Sequence, residues 1–207
     1  LVLSLANIAL REPQREEACL AVIDAVIDDT RAQERAHGVH HFLMAYSRYA
    51  PFVVQPEASV FVDGEIAMMI GARRMVRDRD DLAAELSRRV DEIIGRMSMS
   101  PVLSAESYPD ECWTFCNTVA LAAIRLHDEL DGADHSELTQ AWVDTARSEL
   151  VDADTGLLVS SYTFDGEHLD GPEGSSIFMA AHCLLLVDEA FAWEQYTRAR
   201  RELGRTP

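Results

Sequence analysis

Apolar residues recur at helical spacing along nearly the whole of this 207-residue chain. After Pro13, for example, Leu20, Ile23 and Ile27 are three and four residues apart, which places them on one face of a helix. The pattern predicts eight helices and therefore an all-α fold. The predicted helices cover residues 1–10, 13–36, 57–76, 80–97, 112–130, 136–150, 177–187 and 189–203.

Longer irregular segments interrupt this pattern at 37–56, 101–111 and 165–176. A change of period near 156–168 predicts one short β-hairpin, which turns at Asp165-Gly166. Helices joined by short loops pack as antiparallel pairs. A long run of such pairs either stacks as a solenoid or closes into a ring, and in a ring the long loops would gather at one mouth and form a pocket.

The chain is strongly acidic and contains no lysine. Its 18 basic residues are all arginine and are outnumbered by 36 acidic residues, which gives a formal net charge of −18. Without lysine, a Schiff-base enzyme and a P-loop nucleotide site are excluded. The negative charge argues against nucleic acid and anionic membrane surfaces as partners.

The N-terminal segment LVLSLANIAL is apolar but too short to span a bilayer, and it lacks the basic stretch of a signal peptide. We expect a buried helix whose upstream sequence is missing, with no membrane insertion and a cytoplasmic location favoured. The four cysteines form no C-x-x-C motif, and no set of His, Asp and Glu has the spacing of metal ligands. A metal site is therefore not expected.

The segment from Ser107 to Gly166 resembles the linalool dehydratase/isomerase family. The motifs that carry the resemblance are a Pro-Asp turn, Cys116-Asn117 at the opening of a helix, the junction Asp131–Asp134, a helix with Trp142, and the hairpin Asp152–Tyr162. Weaker similarity extends to both sides. The resemblance implies that residues 1–207 are a single domain and part of an (α/α)6 toroid, with the N-terminal helix and the C-terminal helical pairs missing.

This family implies a lyase or isomerase that works by acid–base chemistry without a metal or organic cofactor. It would remove water from a small apolar, terpenoid-like alcohol, or move its hydroxyl group. Cys116 matches the second of two family cysteines, and the first falls near Ser107. The family's histidine on the preceding helix aligns with Glu65. Family analogy also suggests a ring-shaped homo-oligomer.

Three residues are predicted to carry catalysis: Glu65, Asp110 and Cys116. Glu65 lies in an otherwise apolar helix, where a carboxyl group without a partner has a raised pKa and suits a proton donor. Asp110 lies in the turn that precedes the cysteine helix. Cys116 lies near a helix N-terminus, where the backbone dipole lowers the pKa of a thiol, and it would act as base or polar contact.

Each of these residues also has a purely structural interpretation. Glu65 could form a buried salt bridge with Arg48 or Arg73. Asp110 could cap its helix, and Cys116 could be one more small buried apolar residue.

Further residues from the long loops and the adjoining helices are predicted to bind the substrate. They are Arg48, Tyr49, Tyr108, Trp113, Asn117, Tyr162, Glu173 and His182. Two other functions remain open. One is a carbohydrate-active epimerase, lyase or glycosidase that would use paired carboxylates, with Asp110, Glu111, Asp170 and Glu173 as the candidates. The other is a non-catalytic helical binding domain.

Overall fold

The computed structural model describes residues 1–204. This part of the chain forms eight α-helices, as the sequence pattern predicts. They are α1 (Val2–Arg11), α2 (Glu16–His37), α3 (Val60–Val76), α4 (Asp80–Met97), α5 (Thr114–Asp131), α6 (Ser136–Glu149), α7 (Gly174–Leu184) and α8 (Glu189–Leu203). The predicted bounds of α4 and α8 agree with these, whereas α7 begins and ends three residues earlier than predicted. The first long loop contains two short 3-10 helices, Val39–His41 and Ala45–Arg48.

A small antiparallel sheet joins the start of α5 to the predicted hairpin. Its strands are β1 (Cys112–Trp113), β2 (Ser161–Tyr162) and β3 (His168–Asp170), in the order β1-β2-β3. The hairpin β2–β3 is confirmed slightly closer to the C-terminus than predicted, and its turn uses Gly166 at a φ of +94°. Strand β1 was predicted as helix, because two residues are too few to show a strand period.

Helices α1, α3, α5 and α7 form a row in which each contacts the next, and α2, α4 and α8 pack beside them. In the middle of the row, Gly64 of α3 lies against Ala120 of α5, and further along both helices Gly71 lies against Leu126. These two contacts show that α3 and α5 run parallel. A Cβ atom on Gly64 would be 3.4 Å from the backbone of Ala120. The absent side chain therefore lets the two helices approach closely.

Buried arginines tie the flanking helices to this row. Arg89 of α4 is ion-paired with Asp63 of α3 at 2.6 Å and also with Glu34 of α2. Since the early part of α3 meets the end of α2, these two helices are antiparallel. The arrangement of these helices as an (α/α)6 toroid stays a prediction.

The two ends of the row leave apolar side chains exposed. Only one face of α1 is buried, and it carries Val2, Ala6 and Ala9. In contrast, Leu1 is 77% exposed and Leu3 is 46% exposed. The predicted burial of the first helix is therefore confirmed for one face only, and no described element covers the other face. Phe178 and Met179 of α7 are exposed at the opposite end. Among residues 1–204, no helix combines the length and the apolarity needed to cross a membrane.

Candidate functional site

Glu65 of α3, Cys116 of α5 and Cys183 of α7 lie close enough to influence one another. Burial raises the pKa of the Cys116 and Cys183 thiols, and the negative charge of Glu65 raises both pKa values further. Three successive helices of the row therefore direct an ionisable side chain to the same region. The sequence analysis proposed Glu65 and Cys116 for it. Cys183 had no signal of its own beyond its place next to His182.

Glu65 is half-buried, and burial raises the pKa of its carboxyl group. The proposed salt bridges to Arg48 and Arg73 are absent: Arg73 binds Asp24 at 2.7 Å, and Arg48 donates to the backbone of His40. Within residues 1–204, the Glu65 carboxyl has neither a hydrogen bond nor an ion pair. Its environment thus favours the protonated acid.

Burial raises the pKa of Cys116 to about 12, although the Ser107 hydroxyl lowers it through a hydrogen bond. The sequence analysis expected a lowered pKa from the helix dipole, and that direction is wrong because desolvation of the thiolate outweighs the dipole. Cys116 is therefore a neutral thiol near pH 7. Ser107, the position aligned with the first family cysteine, does lie against it.

Asp110 lies in the turn before β1 and is exposed, with a left-handed φ of 54°. Its Oδ1 accepts a hydrogen bond from the backbone N–H of Phe164 at 3.1 Å. The charge of Asp110 acts on Cys112, whereas that of Glu65 acts on Cys116. The structure thus uses Asp110 to connect two loops, and its proposed catalytic role stays a prediction.

The buried carboxylate of Glu106 organises the loops around this region, and the sequence analysis missed it. Its two oxygens accept backbone N–H groups from Val53 at 2.8 Å, Val54 at 3.0 Å and Asp110 at 2.8 Å. One side chain therefore joins the first long loop to the second. Only the position of an acidic residue inside an otherwise apolar and serine-rich loop could have signalled this.

Aromatic side chains gather around Glu111 at the edge of the same loops. The ring of Tyr46 stacks on that of Tyr108, with centroids 5.0 Å apart. Tyr46 Oη and Trp113 Nε1 both donate to Glu111 Oε2 at 3.1 Å. Tyr108 and Trp113 were predicted as substrate-binding residues. The structure connects Trp113 to Glu111 directly and Tyr108 to Glu111 through Tyr46.

The other predicted substrate-binding residues are either fully buried or exposed to solvent. Asn117 uses its amide on the backbone of Ala105 and Trp113, and the hydroxyl of Tyr162 lies 2.8 Å from Ser104 Oγ inside the core. In contrast, four residues are exposed. These are Arg48, Tyr49, Glu173 and His182.

Two cavities, of about 260 and 370 Å³, border Arg89 between α2, α3 and α4. Their walls are mostly charged, with Glu34, Arg35 and Arg88 in both. Neither includes Glu65, Asp110 or Cys116. They follow from the ion-pair network and do not match the apolar pocket that the sequence analysis expected.

No protein-family model matches this chain. The resemblance to the linalool dehydratase/isomerase family therefore stays a prediction.

Proposed function

We propose that this chain carries out acid–base lyase or isomerase chemistry on a small apolar alcohol, with Glu65 as the proton donor. The observation that supports this most is the state of the Glu65 carboxyl group. Burial raises its pKa, and residues 1–204 supply it with no ion-pair partner. The departure of a hydroxyl group requires a proton donor, and burial favours the acid form of this carboxyl group.

In the proposed dehydration, the Glu65 carboxylic acid donates its proton to the hydroxyl oxygen of the substrate. The C–O bond breaks with its electron pair, and water leaves. The carboxylate of Glu65 then takes a proton from the neighbouring carbon, whose C–H electrons form the double bond. The acid is regenerated, so the cycle balances without an oxidant or a cofactor. Return of water to a different carbon gives the isomerised alcohol.

Cys116 and Ser107 would supply neutral polar contacts beside this acid. Because burial raises the pKa of Cys116 to about 12, its proposed part is that of a thiol hydrogen-bond partner for the hydroxyl group and not that of the base. The raised pKa of Cys183, also due to burial, keeps a second thiol neutral. An uncharged surrounding suits an apolar substrate.

The carbohydrate alternative has less support. Asp110 binds the backbone of Phe164, Asp170 accepts from Ser161 Oγ at 2.7 Å, and Glu111 accepts from Tyr46 and Trp113. Three of its four candidate carboxylates are therefore occupied by internal hydrogen bonds. The fourth, Glu173, is exposed.

The ring also belongs to the proposal. A toroid needs further helices against α1 and α7, and the apolar side chains that these two helices leave exposed support such packing. A homo-oligomer would cover the same faces. The substrate pocket around Glu65 would then be completed by elements that pack on the ends of the row.

The test is to incubate the full chain with terpenoid alcohols such as linalool and geraniol and to measure alkene and isomer formation by gas chromatography. We expect turnover by the wild type and a loss of about 10²–10⁴-fold in Glu65→Gln, the usual contribution of a general acid. Glu137→Gln, at an exposed carboxyl group on α6, is the matched control. Equal turnover by wild type and Glu65→Gln would refute the role of Glu65. A thermal shift with sugars and no turnover of the alcohols would favour the carbohydrate alternative.

A further inference from the structure

His127, Asp128 and His135 converge at the junction between α5 and α6. Each offers one donor atom, and these three atoms lie within 4.8 Å of one another. Asp128 Oδ1 is 2.6 Å from His135 Nδ1 and 3.9 Å from His127 Nδ1. Ligand spacing in the sequence does not predict this set, because it joins two adjacent residues of a helix to a third residue across a loop.

An unpartnered buried nitrogen points to a missing ligand at this cluster. The His127 residue is only 5% exposed, and its Nδ1 has no hydrogen-bond partner among the described residues. Its other nitrogen, Nε2, faces the Asp131 carboxylate at 3.4 Å. A carboxylate there favours the tautomer with the proton on Nε2 and leaves a bare lone pair on Nδ1. Metal-binding histidines are oriented in this way by an outer carboxylate.

We propose that His127 Nδ1, Asp128 Oδ1 and His135 Nδ1 bind one Zn²⁺ ion. Two imidazoles and one carboxylate are a known zinc set, with water in the fourth position. Ligands at about 2.0–2.2 Å from a tetrahedral zinc lie roughly 3.3 Å apart, and the distances of 2.6 and 3.9 Å fall on either side of this value. On binding, the ring proton of His135 moves from Nδ1 to Nε2, so the ion takes the place of the hydrogen bond to Asp128.

The surroundings of the cluster orient the carboxylate for this purpose. Arg125 Nη1 at 2.9 Å and the backbone N–H of His135 at 3.1 Å both donate to Asp128 Oδ2, which leaves Oδ1 turned toward the imidazoles. The charge of Arg125 weakens the attraction for a cation, and the charge of Asp131 is already shared with Arg74. The His135 side chain remains 26% exposed, which gives the ion a route from solvent.

The zinc would fasten the start of α6 to the end of α5. This place is separate from the proposed catalytic region, since His127 follows Cys116 by eleven residues on α5, about 16 Å along the helix axis. The metal site and the proposed lyase function can therefore fail independently of each other.

The test is calorimetric titration of the full chain with Zn²⁺ after treatment with a chelator. We expect one ion per chain, a higher Tm with zinc, and a loss of affinity of more than about 100-fold in His135→Ala, beyond the effect of removing an outer-sphere partner. His127→Gln should give the same loss of zinc affinity. If His127→Gln folds poorly because this residue is buried, His135→Ala still tests the proposal at a more exposed position. His41→Ala, from the stacked pair His37–His41, is the control and should bind zinc as the wild type does. No zinc binding by the wild type, or unchanged binding by His135→Ala, would overturn the proposal.

Discussion

Asp63 and Glu65 lie two residues apart on α3, yet only Asp63 has a cationic partner. Arg89 Nη1 contacts Asp63 Oδ1 at 2.6 Å, whereas no described residue pairs with Glu65. Burial raises the pKa of both carboxyl groups, and Arg89 offsets this effect at Asp63 alone. We therefore assign Asp63 to the scaffold and Glu65 to the chemistry.

Replacement of Asp63 should lower the stability of the fold more than replacement of Glu65. Asp63→Ala removes a buried hydrogen bond to a charged group and should cost about 2–3 kcal/mol, although Glu34 and Glu85 still neutralise Arg89. For a chain of this size this corresponds to a fall in Tm of roughly 5–10 °C. Thermal unfolding followed by circular dichroism measures it. Glu65→Gln is the control, and an equal loss in both variants would contradict the assignment.

The stability of Glu65→Gln relative to the wild type should depend on pH. A carboxyl group whose pKa is raised on folding stabilises the folded state below its unfolded pKa, near 4.5, and this contribution disappears as the pH rises through the folded pKa. Above the folded pKa the wild type carries a poorly solvated charge that glutamine lacks. Urea unfolding should thus show Glu65→Gln gaining on the wild type from pH 4 to pH 8. A constant difference would argue against a raised pKa.

Glu106 should matter for the loops more than any exposed carboxyl group does. Glu106→Gln replaces one acceptor oxygen by a donor amide that faces backbone N–H groups, so at least one of three hydrogen bonds is lost. The expected cost is about 1–3 kcal/mol. Hydrogen exchange should also show faster exchange at Val53 and Val54. Glu167→Gln, in the exposed hairpin turn, should change neither quantity.

The thiols should react in the order of their burial. Burial raises the pKa of Cys116 to about 12 and that of Cys183 to about 11, and Cys183 is also the more exposed of the two. At pH 8 a thiol with a pKa of 12 is ionised to about one part in 10⁴, and only the thiolate is nucleophilic. Iodoacetamide labelling of the native protein, read by peptide mass spectrometry, should modify Cys183 before Cys116. Preferential labelling of Cys116 would indicate an activated thiolate instead.

Gly64 should be the less replaceable of two helical glycines. A side chain at Gly64 meets Ala120 of α5, whereas a Cβ on Gly95 meets nothing within 4 Å. Valine has the same intrinsic helix propensity at both sites, so the difference between Gly64→Val and Gly95→Val isolates packing. We expect Gly64→Val to be less stable by about 1–3 kcal/mol, the cost of overpacking. Chemical denaturation measures both, and equal stability would mean that α3 and α5 can separate freely.

The helices could be read from the sequence because each buries one face at a regular spacing. Position-specific events were harder to foresee. Cys112 and Trp113 extend as a strand because Tyr162 and Ser161, almost fifty residues later, pair with them. The pKa of Cys116 depends on tertiary burial that outweighs the local helix dipole. Asp110 was proposed from its place in the turn before the cysteine helix, and its contact with Phe164 depends on a loop 54 residues later. The cluster of His127 with His135 depends on the path of the α5–α6 loop.

The most direct test of the account is the pKa of Glu65 itself. Titration of ¹³C-labelled glutamate carboxyl groups by NMR, with Glu65→Gln to assign the resonance, measures it without any assumption about the substrate. We expect a midpoint clearly above the ordinary value of 4.5, because burial disfavours the charged form. A midpoint at or below 4.5 would show a solvated or ion-paired carboxylate and would contradict the role of Glu65 as a proton donor.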